Sequence, residues 1–250
     1  IVHFAGLKSV AESVKDPNLY FDNNVNGSKN IIELSKLYDI KNIIFSSSAT
    51  VYGIPKYLPI DEAHPTSPIN PYGQTKLDIE NLFINDNFFD SNCSVIILRY
   101  FNPIGSYKKI IGEKPNNTPA NLIPYIVGVA ERRFENLKIF GDDYPTKDGT
   151  GIRDYIHVMD LVDAHLVALK QDKPGCQIYN IGCGKGFSVL EIIKTFENTH
   201  NISIPFVYFK KREGDVASCY ADVKKAKSKL KWEAKFNIVD MCEDSWIKSK

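Results

Sequence analysis

The sequence lacks the features of several protein classes, and each absence excludes one of them. No apolar run is long enough to span a bilayer, which argues against a membrane protein. There are 31 basic and 30 acidic residues, so the net charge of +1 gives no basic field for nucleic acid or for an anionic membrane. The first residues, IVHFAGLK, lack the basic leader and cleavage site of a signal peptide. We therefore expect a small-molecule partner, with no nucleic acid and no membrane.

Cysteine is also scarce. The five cysteines are an odd number and have no C-x-x-C spacing, which argues against a disulfide framework and against a zinc site. This usage favours a reducing compartment, and we expect the cytosol. The five histidines are scattered along the chain, so His3 and His165 are interpreted as structural residues. No metal is expected.

The residues that are present alternate between strand and helix patterns, which predicts an α/β protein with a doubly wound, mostly parallel sheet. The periodicity breaks down over residues 105–119, and we place the domain transition there. The predicted domains are residues 1–103 and 104–250, with about 154–182 returning to the first. The predicted strands are residues 1–4, 42–45, 94–100, 138–140 and 177–181. The predicted helices are residues 24–38, 72–87, 121–132, 160–170 and 239–250, with a further helix that begins at 189 after a capping box, Ser188-x-x-Glu191.

Three side chains carry the most informative chemistry. Tyr72 and Lys76 form a Y-x-x-x-K pair, and four residues are about one helical turn, so the phenol and the ammonium share a face. The cation is expected to lower the phenol pKa, which would let Tyr72 take a proton from a sugar hydroxyl. The run Ser46-Ser47-Ser48 follows a predicted buried strand, at the strand end where open α/β sheets bind ligands. An isolated Y-x-x-x-K pair is more often the solvent edge of an amphipathic helix, so the interpretation depends on context.

That context is a series of further motifs in a fixed order. They are FAGLK (4–8), DNNVNG (22–27), FSSSATVYG (45–53), PYG (71–73), RYFNP (99–103), GTGIRDYIHV (149–158) and REGD (212–215). Together they resemble the UDP-glucose 4-epimerase family, the galactose epimerases of the extended short-chain dehydrogenase/reductases. The motifs cover nearly the whole chain, so the resemblance is far more specific than any one of them.

The resemblance implies a fold and an activity. The fold is a Rossmann-like NAD-binding domain with a smaller α/β domain for the UDP-sugar. The activity is the NAD-dependent interconversion of UDP-glucose and UDP-galactose in galactose metabolism, by inversion at C4 through a 4-keto sugar. Tyr72 would be the base, Lys76 would also contact the nicotinamide ribose, and Ser48 would hydrogen-bond the reacting O4. The family's Gly-rich pyrophosphate loop precedes the residues matched here, so we expect an N-terminally truncated Rossmann-like sheet that lacks its first strands.

The resemblance also assigns residues to the two ligands. The NAD contacts besides Ser48, Tyr72 and Lys76 would be Phe4, Ala5, Gly6, Leu7, Lys8, Asn23 and Phe101. The UDP-sugar contacts besides Ser48 and Tyr72 would be Asn102, Asn121, Leu122, Lys138, Ile139, Phe140, Arg153, Arg212, Asp215 and Cys219. Arginine forks suit a diphosphate. Structural interpretations stay open, because Phe4 and Phe101 could equally be core residues, and the two arginines could form salt bridges with Asp154 or Glu213.

Cys219 bears on the sugar range. In the family, its position lines the pocket around the sugar 2-substituent, where some members carry Tyr and others a small residue. A cysteine leaves room for an N-acetyl group, so UDP-GlcNAc and UDP-GalNAc are expected as further substrates. The alternative, a thiol that only fills space, is about equally favoured.

Other functions stay open at this stage. Related 4,6-dehydratases carry acidic residues after the strand-end Ser or Thr, where this chain has Ala49 and Thr50, so elimination is disfavoured. A uronic-acid epimerase or a decarboxylase would share the Ser, Tyr and Lys. A non-catalytic NAD-binding scaffold would not require the three residues to be intact. The family commonly forms homodimers, so a homodimer is expected.

Overall fold

The computed structural model describes residues 1–87, 89, 93–113, 121–212 and 214–246. The strands are β1 (Val2–His3), β2 (Asn42–Ser48), β3 (Ser94–Tyr100), β4 (Asn102–Ile104), β5 (Ser106–Tyr107), β6 (Ile111–Gly112), β7 (Leu137–Phe140), β8 (Ile152–His157), β9 (Gly175–Ile181), β10 (Gly186–Ser188), β11 (Phe206–Phe209) and β12 (Ser218–Cys219). The α-helices are α1 (Val10–Lys15), α2 (Pro17–Tyr20), α3 (Gly27–Leu37), α4 (Pro71–Ile84), α5 (Leu122–Ala130), α6 (Val158–Ala168), α7 (Val189–His200) and α8 (Ile238–Ser245).

The described chain forms two compact units. The first contains Ile1–Tyr100, Asp163–Ile181 and Asp222–Trp232, and the second contains Phe101–Val162, Gly182–Ala221 and Glu233–Lys250. The predicted return to the first domain covered about 154–182, whereas two segments, 163–181 and 222–232, join the first unit. Segment 222–232 was not predicted from the sequence. Its regular part is a π-helix, Ala226–Leu230, which shows neither strand nor α-helix periodicity.

The first unit is built on a four-stranded parallel sheet in the order β1-β2-β3-β9. This arrangement confirms the predicted α/β fold with a parallel, Rossmann-like sheet. The strand predicted at 94–100 is confirmed, and the return strand begins two residues earlier than predicted, at Gly175. One correction affects the site. The three serines do not follow β2 but form its last three residues, because they stay in register with Leu98, Arg99 and Tyr100 of β3.

The apolar faces of the strands and helices of this unit meet in one core. Its members include Val25, Ile32, Ile43, Phe45, Ile79, Phe83, Val95 and Ile97. β2 and β3 contribute alternate residues to it, as expected for strands covered on both faces. His3 and His165, which the sequence predicted to be structural, are both buried, and each bonds a serine: His3 Nε2 lies 2.8 Å from Ser28 Oγ, and His165 Nε2 lies 3.0 Å from Ser46 Oγ.

Two helices of the first unit differ from the predicted bounds. The helix predicted at 24–38 is a π-helix, Phe21–Asn26, followed by α3. The helix predicted at 72–87 starts one residue earlier, at Pro71, and ends at Ile84. Its start has a clear cause, since Asn70 caps it by accepting from the Gly73 amide at 2.8 Å and Pro71 occupies the first turn without needing a donor.

The described residues of the second unit form three small sheets. β8 pairs with β10, β12 and β4, β7 pairs with β11 in parallel, and β5 pairs with β6. The hairpin β5–β6 lies inside the segment predicted to be irregular, of which 114–119 lies outside the described residues. β8 begins at Ile152, inside the GTGIRDYIHV motif. The capping box at Ser188 and Glu191 is confirmed, and α7 begins at Val189 as predicted.

The core of the second unit collects apolar residues from its helices and strands, among them Ile126, Leu137, Ile139, Tyr155, Ile192, Phe196 and Met241. The predicted last helix, 239–250, is α8, Ile238–Ser245, and its residues 247–250 lie outside the described part. Within the described residues, no helix combines the length and apolar character needed to cross a membrane.

Candidate active site and substrate-binding residues

The candidate site of the first unit lies at the carboxyl ends of its parallel strands. Ser48 ends β2 and is in register with Tyr100, which ends β3. Ser48 is buried, and it caps a short 3₁₀ helix, Ala49–Tyr52. The edge formed by such strand ends is where open α/β sheets bind ligands. The fold therefore places the predicted hydroxyl at the expected edge.

Helix α4 brings Tyr72 and Lys76 to the same edge. The helix approaches the loop after β2 very closely, since a Cβ on Gly73 would lie 2.9 Å from the Thr50 carbonyl oxygen. The Tyr72 amide donates to Ser13 Oγ at 3.1 Å, which anchors the first turn to α1. The start of the helix is thus fixed at two points, and Tyr72 has little freedom to move.

Ser48 receives two hydrogen bonds from a residue that the sequence analysis did not assign. The Thr50 amide donates to Ser48 Oγ at 3.2 Å, and the Thr50 hydroxyl donates to it at 2.9 Å. Because both lone pairs of Ser48 Oγ are then used, its own proton is left to donate. The Ser48 hydroxyl hydrogen-bonds the Tyr72 phenol and lowers its pKa. Thr50 therefore orients the hydroxyl that serves the predicted base.

Lys76 lies beneath the phenol as a buried cation, with 4% of its surface exposed. Its Nζ donates to the Ser46 carbonyl at 2.8 Å and lies 4.9 Å from the Phe45 ring centroid and 5.9 Å from that of Tyr72. Burial lowers the pKa of Lys76 to about 8, against the opposing charge of Glu80. Among the described residues, the Ser46 carbonyl is the one hydrogen-bond acceptor for Lys76, so two of its N–H groups can donate elsewhere.

The predicted pKa of Tyr72 needs a correction. Burial raises it above its ordinary value, the charge of Tyr100 adds to that rise, and the Ser48 hydrogen bond opposes it. The predicted net lowering of the Tyr72 pKa is wrong for the protein alone, because desolvation of the phenolate exceeds the effects that oppose it. The phenol is therefore a neutral hydrogen-bond donor at neutral pH until further positive charge reaches it.

The loop after β1 holds the residues predicted to line NAD. Asn24, which the sequence analysis did not single out, accepts from the Leu7 amide at 2.7 Å and donates to the Leu7 carbonyl at 3.0 Å. It also donates to Thr75 Oγ1 of α4 at 3.2 Å. Asn23, the predicted residue, is exposed and donates to Asn24 Oδ1 at 2.9 Å. Asn24 therefore ties this loop to the helix that carries the base.

The other residues of this loop lie at its surface. The Phe4 ring is 60% exposed and packs on His165 with their centroids 4.8 Å apart, so Phe4 is not a core residue of the first unit. Ala5, Gly6 and Lys8 are exposed, and Leu7 is half-buried. Phe101, by contrast, is a buried residue of the second unit. Their roles toward a cofactor stay predictions.

The second unit groups three of the residues predicted to bind a UDP-sugar. Arg153 on β8 pairs with Asp215 and also donates to the Ile152 carbonyl at 2.8 Å. Cys219 on β12 is in register with Arg153, so the thiol position and the guanidinium lie side by side. Burial raises the pKa of Cys219 to about 11, which keeps it a neutral thiol. This ion pair differs from the structural interpretation, which named Asp154 or Glu213 as the partner, and Glu213 lies outside the described residues. Both members of the observed pair are partly exposed.

Arg212 and Phe140 form a second group in this unit. The Arg212 guanidinium carbon lies 3.9 Å from the Phe140 ring centroid, a close cation–π contact. Lys138 Nζ lies 4.9 Å from the Phe209 ring. Ile139, between them on β7, is 1% exposed and belongs to the core. Its side chain faces inward, so Lys138 and Phe140 are the residues of β7 that can meet a ligand through their side chains.

The remaining predicted residues of the second unit stand apart in their contacts. Asn121 occupies the N-cap position of α5, and its side chain makes no capping bond but donates to Glu113 at 3.1 Å. Leu122 packs partly against the core, and Asn102 is exposed on β4. These positions are compatible with hydrogen bonding to a ligand, and their roles stay predictions.

Asp154 is a further residue that was not assigned from the sequence. Its buried carboxylate accepts from three backbone amides, those of Cys183 at 2.8 Å, Gly184 at 3.0 Å and Ala221 at 3.1 Å. Burial raises the pKa of Asp154 to about 7, although each amide acts to lower it. The carboxylate therefore fixes the chain just beyond Cys219 to the strand that carries Arg153.

Asp154→Asn is expected to destabilise the protein by about 2 kcal/mol, because the amide NH₂ would face backbone donors that now have an acceptor. Urea unfolding at pH 5.5, where the Asp154 carboxyl is largely protonated, measures the loss without the desolvation penalty of its charge. The exposed Asp142→Asn in the same unit is the control. Equal midpoints for the two variants would contradict the role given to Asp154.

Comparison with known proteins now adds to this geometry. The model of the NAD dependent epimerase/dehydratase family matches residues 1–182, and the chain belongs to that family. It is 49% identical over 249 residues to the UDP-glucose 4-epimerase of Bacillus subtilis, covering 98% of this chain and 74% of the relative. The resemblance to the UDP-glucose 4-epimerases is thereby confirmed.

Solved structures agree. A UDP-glucose-4-epimerase from Stenotrophomonas maltophila with bound NAD and formylated UDP-arabinopyranose superimposes with a TM-score of 0.95 at 44% identity, over 98% of this chain and 74% of that one. A UDP-Glc/GlcNAc 4-epimerase from Campylobacter jejuni has a TM-score of 0.83 at 34% identity, over 98% of this chain and 75% of that one.

The residues of the first unit fit the nicotinamide cofactor of this family. The test is the donor set: a buried ammonium with two N–H groups to spare, a phenol and a serine hydroxyl, all at the strand ends. Hydroxyls of a ribose and the alcohol of a sugar are natural acceptors for such donors. The exposed Phe4 ring, which packs on His165, adds an apolar surface to the loop after β1. Lys76, Tyr72 and the loop fixed by Asn24 would hold the nicotinamide half of the cofactor.

Proposed function

We propose that this protein interconverts UDP-glucose and UDP-galactose by inversion at C4 of the sugar, with NAD as its cofactor. The observation that carries the proposal is the meeting of Ser48, Tyr72 and Lys76 at the strand ends of a parallel sheet. It is supported by the 49% identity to a UDP-glucose 4-epimerase. When bound, NAD supplies the hydride acceptor and donor that a C–H bond of this kind requires.

The protein's own residues then handle one proton. Tyr72 takes the proton of the sugar O4 as the alcohol becomes a ketone, and it returns that proton when the alcohol is remade. Ser48, oriented by Thr50, donates to the oxygen that carries the charge at each stage. Lys76 supplies positive charge beneath the phenol, and a positively charged nicotinamide ring would add to it, which offsets the rise in the Tyr72 pKa caused by burial.

The residues of the second unit suit the nucleotide part of the substrate. Arg153 and Arg212 are planar donors of the kind that binds a diphosphate, and Asp215 can accept from a ribose hydroxyl. We propose that Arg153 exchanges part of its pairing with Asp215 for the diphosphate. Phe140 and Lys138 would edge the uracil, as the resemblance implies.

The test is to incubate the purified protein with NAD and UDP-galactose and to quantify UDP-glucose by chromatography. Formation of UDP-glucose to an equilibrium mixture from either side, without net consumption of NAD, is the expected result. Release of water and accumulation of a 4-keto-6-deoxy sugar would instead favour a dehydratase. Binding of NAD with no turnover of any UDP-sugar would favour the non-catalytic scaffold.

Cys219→Tyr tests the sugar range. The wild type is expected to epimerise UDP-GlcNAc and UDP-GalNAc as well, because a thiol at position 219 leaves room for the acetamido group. The tyrosine ring should reduce kcat/KM for the N-acetyl sugars by about 100-fold or more, about 3 kcal/mol, with a much smaller change for UDP-galactose. Cys219→Ser is the size-matched control. A wild type inactive on both N-acetyl sugars would contradict the idea.

A homodimer and a cytosolic location also stay proposals. Exposed apolar side chains on the helices of the first unit, Leu19, Phe21, Leu34 and Leu37, support a surface for a second copy. No helix of the described residues could span a membrane. Light scattering on the purified protein measures the mass directly.

A further inference from the structure

A buried ion pair that the mechanism above does not use lies next to the catalytic residues. Arg99 of β3 donates from Nε to both oxygens of Glu80, at 3.0 and 3.1 Å, and from Nη2 to Oε2 at 2.6 Å. The two side chains are 5% and 0% exposed. Ser47 of β2 also donates to Glu80. One carboxylate of α4 is therefore bonded to two adjacent strands of the sheet.

The ion pair is placed on the same face of α4 as Lys76. Glu80 follows Lys76 by four residues, and residues so spaced are neighbours on a helix surface. Ser47 and Arg99 are opposite each other in the β2–β3 register, one position before Ser48 and Tyr100. The Glu80 carboxylate thus joins α4, the helix that carries the base, to β2 and β3. The bonds lie one residue before Ser48 and Tyr100, where these strands end.

The charges around Lys76 leave Glu80 as its counter-ion. The titratable groups that interact with Lys76 or with its immediate neighbours Ser46, Tyr72 and Glu80 come from five elements: His3 of β1, Tyr20 of α2, Tyr72 and Glu80 of α4, Arg99 and Tyr100 of β3, and His165 of α6. Burial and the Lys76 charge lower the pKa of His3 to about 4, so its ring is neutral at pH 7. The three phenols are neutral as well, since burial raises their pKa values. Glu80 is the one anion among these groups.

We propose that Glu80 is a positioning residue that keeps Lys76 protonated in its buried place and, through Arg99 and Ser47, holds α4 against the strands of the site. The proposal rests on the proposed epimerase function, since it gives the ammonium a role in that reaction. Glu80 touches neither the sugar nor the cofactor in this scheme and acts through Lys76.

The electrostatics support this geometry. Burial alone lowers the pKa of Lys76, and the Glu80 charge acts in the opposite direction. Without the Glu80 carboxylate, the pKa of Lys76 falls below its present value of about 8, so the ammonium loses its proton at a lower pH. A role in packing alone would change stability and leave this titration where it is.

The experiment compares Glu80→Gln, Arg99→Met and the double variant Glu80→Gln/Arg99→Met. Glu80→Gln strands a buried guanidinium and can unfold the protein, whereas removal of both charges is often nearly neutral. The alkaline limb of the pH profile of kcat is expected to move down by about one pH unit in both variants that lack Glu80. Arg99→Met, which keeps the carboxylate, should leave that limb at its wild-type pH, because the Glu80 charge and not the Arg99 charge acts on the pKa of Lys76.

A second readout needs no substrate. Above the folded-state pKa of Lys76 and below 10.5, the unfolded chain binds more protons, so the free energy of unfolding from this group rises with pH. In the wild type that rise begins near pH 8, and in Glu80→Gln/Arg99→Met it should begin about one unit lower. Addition of Lys76→Met to either protein should remove the rise.

These outcomes separate the inference from the proposed function. If the protein epimerises no UDP-sugar, the proposed function fails while the unfolding series still decides whether Glu80 sets the Lys76 titration. If the protein is an epimerase but the double variant keeps the wild-type alkaline limb and the wild-type onset of the rise, Glu80 has only a packing role and the inference is overturned.

Discussion

Tyr72→Phe is expected to reduce kcat for the conversion of UDP-galactose to UDP-glucose by about 10³-fold, because the variant keeps the ring and loses the group that accepts the O4 proton. The ring fills a buried position, so its retention should preserve the fold. The Tyr72 hydroxyl bonds Ser48, and the loss of that one bond should change the binding of UDP little. The measurements are initial rates of product formation and calorimetric titration with UDP.

The matched control is Tyr38→Phe, which removes the same hydroxyl from a tyrosine that is 70% exposed at the end of α3. Its rate should equal that of the wild type. The assignment of the base would be wrong if Tyr72→Phe turned over UDP-galactose within tenfold of the wild-type rate. A parallel fall of UDP binding and turnover would assign the loss to a damaged fold and not to the missing proton acceptor.

Lys76→Met is expected to reduce kcat by about 10²-fold or more and to make the protein more stable at the same time. The methionine side chain suits the space between the Phe45 and Tyr72 rings, whereas the ammonium is held there against a desolvation penalty. The drop in the Lys76 pKa from 10.5 to about 8 corresponds to about 3 kcal/mol against the protonated form. Removal of the charge should recover part of this penalty, so Lys76→Met should have a free energy of unfolding about 2 kcal/mol higher than the wild type at pH 7.

The sign of the pH effect follows from the same shift. A lowered folded-state pKa means that the unfolded chain binds more protons between pH 8 and 10.5, so this group makes the wild type more stable as the pH rises through that window. The variant should lack this rise. Urea unfolding at pH 7 and pH 9.5 measures both effects, with the exposed Lys29→Met as control. A Lys76→Met protein that is less stable than the wild type at pH 7 would refute the penalty.

The sequence predicted those features of the site that depend on local spacing. The Y-x-x-x-K pair needs only a helix of regular pitch, and the capping box before α7 needs only the pairing of Ser188 with Glu191. Strand β3 could be read from seven residues of suitable pattern. The family motifs then supplied an activity that spacing alone could not give.

Other features depend on contacts that spacing does not reveal. Asn23 was assigned from the family resemblance, and its role toward NAD stays a prediction. Asn24, which was not assigned, belongs to the π-helix Phe21–Asn26 and is turned inward onto Leu7. Asn24 is one of three buried residues, with Tyr20 and Ser28, that follow one another at intervals of four. This spacing is the feature of the sequence that could have pointed to Asn24. The pKa of Tyr72 was predicted in the wrong direction because its burial could not be known from its neighbours in sequence.

The close contact of Gly73 with the Thr50 carbonyl makes two parts of the site interdependent. Any side chain at position 73 would push α4 away from the turn after β2. Tyr72 would then move away from Thr50, the residue that orients the Ser48 hydroxyl. One substitution would therefore disturb both the base and its hydrogen-bond partner. The close contact between Gly73 and Thr50 leaves no space for a larger residue at position 73. Substitutions that alter the activity must therefore fall on side chains that face the ligand.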